Sequence, residues 1–393
     1  MRQPYDSVKA FLDVFLRETK RMTSRPIYFY GIVFAPLFCL VFFTTLMKDG
    51  LPHDLPIGLV DMDDSQTSRT IGRTLDSFDA THIVARYANY TEARQAVQRN
   101  EIYGFFYLPK GLEQEANSFR QPKVSFYVQY AYLVPGSLLM KDLKTGAVLL
   151  NAAAMRKQLR AKGLTDKLAM DFIQPIVVDT HPLNNPSLNY AIYLNNTIVP
   201  GIMMLLIFLM TVYAIGNEIK YNSARDWLER SNHSILLALT AKLLPYTLAF
   251  TLIGAVVDFT FYVLLGYPCN SGIWPMLAAM VLAIVASQAL GIFFIAAIPT
   301  LRLAMGFGCL WGVLSFSVCG FTFPYHGFYP FIKGLTYLFP LRHYYLIYVT
   351  QALDGFSMAY AWRSYMALAC FMLLPLLLLI RLKRNLIHTN YVP

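Results

Sequence analysis

NNTIVPGIMMLLIFLMTVYAIGNEIKYNSARDWLERS, residues 195–231, changes character in the middle. From Asn195 to Asn217 there is no charged residue; the remainder carries Glu218, Lys220, Arg225, Asp226, Glu229 and Arg230. An uncharged run of that length crosses a hydrocarbon layer roughly 30 Å thick as a helix. A second apolar run, ILLALTAKLLPYTLAFTLIGAVV, begins at Ile235, directly after the charges. In the charged stretch Ala224, Trp227 and Leu228 share one helical face, and Lys220, Arg225, Asp226, Glu229 and Arg230 surround the rest. This pattern predicts a short amphipathic helix within 216–232, lying along the membrane between two spans. Apolar anchors beside mixed-sign charge suit a protein partner, so Trp227 and Leu228 are expected to face one.

Composition agrees with a membrane chain. Of 393 residues only 14% are charged and 56% are hydrophobic, against roughly 25% charged for soluble domains. Apolar runs predict six spans, at 27–47, 192–214, 241–266, 275–298, 303–322 and 364–381. The net charge of +10 is no nucleic-acid signal, because the basic residues sit at the ends of apolar runs: Arg17, Lys20, Arg21 and Arg25 before the first, Arg381, Lys383 and Arg384 after the last. That distribution follows the positive-inside rule. It places both termini, the 216–232 stretch, Lys242 and Arg302 on the cytoplasmic side, and the uncharged loop YPCNSG (267–272) opposite. The first apolar run is too long for a signal peptide and lacks a small-residue cleavage site, so it is expected to remain. Four of the five cysteines lie in apolar runs, no CxxC occurs, and no disulfide framework is expected.

Residues 5–25 predict an amphipathic interfacial helix, with Val8, Phe11, Leu12 and Phe15 at helical spacing and basic residues after them. Residues 48–190 predict an extracytoplasmic α/β domain. Strands PIGLVD (56–61), HIVARY (82–87), IYGFFYLP (102–109) and KVSFYVQY (123–130) alternate with helices at 65–78, 91–100 and 110–119, which implies a partly parallel sheet. Asp64 or Ser65 should cap the first helix and Thr91 the second. A long helix is expected over 136–162, then a short helix and a strand, IVVDTHP (176–182). Asp61, Asp63 and Asp64 could form a cation or ligand site, but their strand-to-helix position suits capping. Residues 191–393 hold the remaining five spans. Between the last two, 326–348 is apolar but broken by Pro330, Gly334 and Pro340, and reads as a re-entrant pair of short helices.

Chemistry is sparse. There is no phosphate-binding GxxxxGK[ST], no HExxH, no GxSxG and no Cys/His cluster. The sequence therefore predicts no catalytic residue, no metal site and no cofactor in this chain. Asp258 stands inside the third span, where a carboxylate is costly and faces a cavity or a partner. It either lines a path or pairs with a cation, and Arg342 and Lys333 stand at matching depth. Gly308 and Gly312 form a GxxxG, a close helix–helix contact within one chain or across a dimer.

The order of these parts resembles the ABC-2 type exporter permeases, in particular those with a large extracytoplasmic domain after the first span. The match is carried by IGLVDMDDSQTSRTI (57–71), by EIYGFFYLPKGLEQE (101–115) with Gly104 and Pro109, and by the opening stretch. Glu218 stands where the family carries an acidic residue, while Asn222-Ser223 replace its Gly-Thr and Ser231-Asn232 its Thr-Pro. The resemblance implies a permease subunit of a bacterial cytoplasmic (inner) membrane. It implies a second copy or a paralogue, and a cytosolic ABC ATP-binding subunit that holds ATP and Mg. Residues 218–230 would couple to that subunit, and spans two and five with Asp258, Arg342 and Lys333 would line or gate the path. Hydrophobic or amphipathic cargo is implied (drug, lipid or lipid-linked molecule), as are a periplasmic adaptor and outer-membrane duct among the family's partners. The competing readings are a receptor or scaffold that binds a ligand or envelope component without transport, and an intramembrane enzyme. The second would need converging ionisable groups that the spans lack.

Overall fold

The computed structural model describes residues 4–118, 120, 122–174 and 181–389. It divides into two compact units, residues 51–181 and residues 1–50 with 182–393. Helix α1, Pro4–Ser24, is amphipathic. Ala10, Val14 and Glu18 face inward and are buried, while Val8, Leu12 and Leu16 form an exposed apolar stripe. Helix α2, Pro26–Leu46, is the first candidate span. Pro36 has no N–H to donate, and the turn before it widens into a π-turn at Tyr30–Phe34.

The 51–181 unit holds β1 (Leu55–Asp61), α3 (Gln66–Asp76), β2 (Thr81–Arg86), α4 (Tyr90–Gln98), β3 (Gly104–Leu108), α5 (Leu112–Asn117), β4 (Ser125–Val128), α6 (Leu133–Ala161) and α7 (Asp166–Ile173). The sheet order is β2-β1-β3-β4. β1 pairs in parallel with β2 and β3, and β4 closes the other edge antiparallel to β3. Strand β1 is buried on both faces, as a central parallel strand must be. Ile57 and Leu59 pack with Leu75 and Leu139 on one side, Val60 with Ala93 and Ala96 on the other. Ser65 caps α3 in a reciprocal capping box with Ser68. The cap of α4 is Asn89 rather than Thr91: its side chain accepts from the Glu92 N–H at 2.9 Å, leaving Thr91 inside the helix. The predicted strand IVVDTHP lies at 176–182, almost wholly outside the described residues.

The acidic cluster is structural. One Asp61 oxygen accepts from the N–H groups of Asp63 and Asp64, and the other from the Ser68 hydroxyl at 2.7 Å. Asp63 accepts from the N–H groups of Gly111, Leu112 and Glu113 at 2.7, 3.1 and 3.1 Å, tying the β1–α3 turn to the start of α5. Hydrogen bonding to Ser65, then to these backbone groups, lowers the Asp63 pKa below its usual value. A depressed folded-state pKa gives stability that is present above about pH 4 and lost as pH falls through the folded value. Asp63→Asn should therefore flatten the acid limb of this unit's stability, followed by hydrogen exchange at α5 as pH is lowered.

The chain returns through α8 (Tyr190–Lys220), the short α9 (Ala224–Arg230), α10 (Ile235–Leu264), α11 (Ile273–Ala297) and α12 (Leu301–Val318). It then forms α13 (Pro330–Leu335) and α14 (Pro340–Ile347), and ends in α15 (Met358–His388). Among the described residues, six helices are long and apolar enough to cross a membrane: α2, α8, α10, α11, α12 and α15. Helices α8 and α11 are the most buried and form the centre. At 1.5 Å per residue, the 31 residues of α8 span about 46 Å, well beyond a 30 Å hydrocarbon layer. Its charged last turn therefore lies outside the layer when its apolar part lies within it.

Gly308 and Gly312 let α12 approach α8. A Cβ at Gly308 would lie 1.8 Å from the Phe208 ring and one at Gly312 2.5 Å from Leu205, whereas Gly306 faces open space. Small residues at such a seam let the backbones close up. Gly308→Ala should cost about 1–3 kcal/mol by overpacking, while Gly306→Ala should cost nothing. Thermal unfolding of the detergent-solubilised protein compares the two.

Candidate functional site

Helix α8 ends at Lys220, and the chain turns through Asn222, whose φ of 52° is left-handed. Asparagine is among the few non-glycine residues that take this conformation readily. Helix α9 then runs for seven residues and stops at a second left-handed turn, Asn232 and His233, before Ser234 caps α10. The charged stretch is thus a helix end, a turn and a separate short helix, not one helix across 216–232.

Glu218 lies fully buried at the end of α8. It accepts from Arg17 at 3.0 and 3.2 Å through both guanidinium ends, from Arg21 at 2.5 Å, from Lys242 at 2.8 Å and from the Ser223 hydroxyl. Glu18 of α1 is also fully buried. It lies 2.7 Å from Lys242 Nζ and 3.1 Å from Arg17, and accepts from the Tyr246 hydroxyl at 3.3 Å. Lys242, itself fully buried, stands 4.9 Å above the Trp227 ring. Two carboxylates and three cations therefore knit α1, α8 and α10 together, with α9 laid over them through Trp227. Such a cluster adds little net stability over a well-packed apolar core, but removing one member strands a buried charge at about 3–5 kcal/mol.

The eight coupling candidates divide into two faces. Glu218, Trp227 and Leu228 point into the chain and are buried. This corrects the expectation that Trp227 and Leu228 await a partner: the ring covers Lys242 and Leu228 joins the core. Lys220, Arg225, Asp226, Glu229 and Arg230 are exposed. The outward face is also wired to α1. Arg230 bonds Asp226 through Nε at 3.1 Å and Asp13 through Nη1 at 3.1 Å, and Arg17 lies 3.9 Å from Asp226. From the far end of the chain, Lys383 donates to the His233 carbonyl at 2.7 Å.

The gate candidates do not assemble as expected. Asp258 is buried in α10, and neither of its oxygens has a hydrogen-bond partner among the described residues. Arg342 instead lies over the Tyr325 ring at 4.1 Å and the Tyr337 ring at 5.4 Å, and Lys333 lies 5.7 Å from Tyr325. Similar depth along the membrane axis does not bring the side chains together, and the Tyr325 and Tyr337 ring faces hold the cations instead. Among the described residues, no group of three His, Cys, Asp or Glu side chains could hold a metal ion.

The sequence reading missed the cluster itself. Arg17, Arg21 and Lys242 read as ordinary inner-side charges. Two signals pointed further: Lys242 interrupts an apolar run, where an ionisable group implies a partner, and Glu18 falls on the same helical face as Ala10 and Val14.

Six span-length helices among the described residues, with an inserted α/β unit, define a polytopic membrane protein. The sequence matches the model of the ABC-2 family transporter proteins over residues 27–381, and the chain belongs to that family. Its members are the membrane components of transporters, generally without a catalytic site of their own, and normally work with a cytosolic ATP-binding subunit. No curated protein matches the chain.

Glu218→Gln should lower stability by about 3–5 kcal/mol, whereas Glu229→Gln on the exposed face should change it by less than about 0.5 kcal/mol. Asp258→Asn should leave stability unchanged or raised, since a buried carboxylate without a partner is a cost; a marked loss would mean that Asp258 is paired after all. Thermal melts in one detergent read all three.

Proposed function

We propose that this chain is the permease subunit of an ATP-driven exporter, and that the ATP-binding subunit docks on the outward face of α9 through Lys220, Arg225, Asp226, Glu229 and Arg230. One observation carries the reading: a short helix with mixed exposed charge rests, through Trp227 and surface ion pairs to α1, on three helices that buried ion pairs hold together. Such a helix suits the transmission of a push. Closure of the ATP-binding subunits would move α9, and Trp227, Glu218 and Arg17 would carry that movement to α8, α10 and α1 as one body. The docking surface must interact differently with the two nucleotide states, because equal contacts in both shift nothing. ATP and Mg belong to the partner; this chain supplies the lever and the path.

The remaining assignments belong to the same proposal. Both termini and α9 lie on the cytoplasmic side and the 51–181 unit lies outside, in a bacterial inner membrane. Basic residues flanking the inner ends of the spans support this, as does the uncharged loop at 267–272. The broken α13–α14 segment dips into the outer leaflet, with Lys333 and Arg342 held on Tyr325 near its start. The chain works as a pair, with itself or a paralogue, and the cargo is hydrophobic or amphipathic. A periplasmic adaptor and duct would extend the path across a second membrane.

Co-purification from native membranes tests the docking face. Arg225→Glu with Glu229→Lys should lose a P-loop ATPase that the wild type retains, while the melting temperature stays unchanged. If both proteins retain it equally, the docking site lies elsewhere. If the wild type retains none across several mild detergents, the receptor or scaffold reading takes its place.

A further inference from the structure

Beside the buried cluster, where residues 17–25 meet the turn that follows α8, lies an open cavity of about 500 Å³ lined by Arg17, Lys20, Arg21, Ser24 and Arg25 with Tyr221 and Ser223. Its volume is that of a small-ligand pocket. No carboxylate lines it. Arg17 and Arg21 spend part of their donors on Glu218 and Glu18. Lys20 and Arg25 are exposed and have no ion pair among the described residues; Arg25 only approaches the Tyr221 ring, at 6.0 Å. The cluster holds three cations against two buried carboxylates, and the cavity adds two more cations. Asp226, half exposed, lies 3.9 Å from Arg17.

We propose that this cavity binds the phosphate of an anionic phospholipid headgroup. A phosphate matches guanidinium donors in geometry and charge, and it supplies the negative charge that the cluster lacks. The surroundings favour a lipid over a free anion. Val8, Leu12 and Leu16, 49–63% exposed, form an apolar stripe along α1 that leads towards Lys20 one turn further on. Ile27, Phe29 and Tyr30, at the start of the first span, are exposed on the other flank. Acyl chains lying on these surfaces would leave a headgroup at the depth of the cavity. Anionic lipid on the cytoplasmic leaflet attracts such basic segments. The inference rests on the membrane placement of α1, not on export.

The test uses the full-length protein in a neutral detergent, titrated with phosphatidylglycerol, phosphatidylcholine or inorganic phosphate, and read by native mass spectrometry and melting temperature. The wild type should retain phosphatidylglycerol, melt higher with it, and show neither effect with phosphatidylcholine. Lys20→Gln with Arg25→Gln should weaken retention by about thirty-fold, at about 1 kcal/mol for each charge lost. Arg302→Gln with Arg384→Gln, which removes the same charge from exposed positions elsewhere, should retain the lipid as the wild type does. Equal retention by the Lys20/Arg25 variant overturns the site, as does an equal loss in the control variant. Inorganic phosphate that binds and stabilises as well as the lipid at the same concentration overturns the lipid as its source. A cross-link from Lys20 to a co-purifying protein in place of lipid overturns it as well.

Discussion

The membrane unit depends on a carboxylate that cannot be left alone. Glu218 ends the central helix α8 in a fully buried position, and a charge there is tolerated only with partners on several sides. Those partners come from three places far apart in sequence: Arg17 and Arg21 on α1, Ser223 in the turn, and Lys242 on α10. Lys242 in turn requires Glu18 and the face of Trp227. The interfacial helix, the central span, the third span and the short helix are therefore positioned by one electrostatic requirement. An apolar junction would pack as well, but would fix the angles between these helices less strictly.

That arrangement changes the meaning of the charged stretch. Charge between two spans can be no more than a solvated loop. Here its buried half is structural and its exposed half is presented on a rigid base. Arg230 and Asp226 extend the network to Asp13 at the surface, so the surface that a partner would touch is continuous with the groups that hold the spans. The ABC-2 family assigns an ATP-binding subunit as the normal partner, and the geometry gives such a subunit something stiff to act on.

Much of the fold was legible because the physics behind it is local. Apolar length marks a span wherever it occurs, and the first span was placed within a residue of Pro26–Leu46. The last was cut short at 364–381 because Arg363, Arg381 and Lys383 interrupt the apolar window although the helix itself continues over Met358–His388. Strand order in the α/β unit was not legible, but the alternation of strands and helices was, and the first helix's cap was narrowed to Asp64 or Ser65, of which Ser65 fills it. The site was legible only in part. A helical projection shows that Trp227 and Leu228 share a face; it does not show whether that face meets a partner or Lys242 of the same chain. Asp258 and Arg342 failed as a pair for the same reason, since depth is one coordinate of three. What sequence inspection could have supplied is the rule that every ionisable group within or beside an apolar run implies a counter-group. Applied together to Glu18, Lys242 and Glu218, that rule leads to the cluster.

The central claim is that α1, α8, α9 and α10 move as one body around Glu218. Pulsed electron spin resonance measures this directly, with labels at Thr23 and His233 on one copy of the pair after replacement of the native cysteines, in the complete transporter with its ATP-binding subunit. The account predicts one distance that is the same without nucleotide and with ATP trapped. A distance that widens with ATP, or divides into two populations, would contradict it, because α9 would then slide over α1 instead of carrying it.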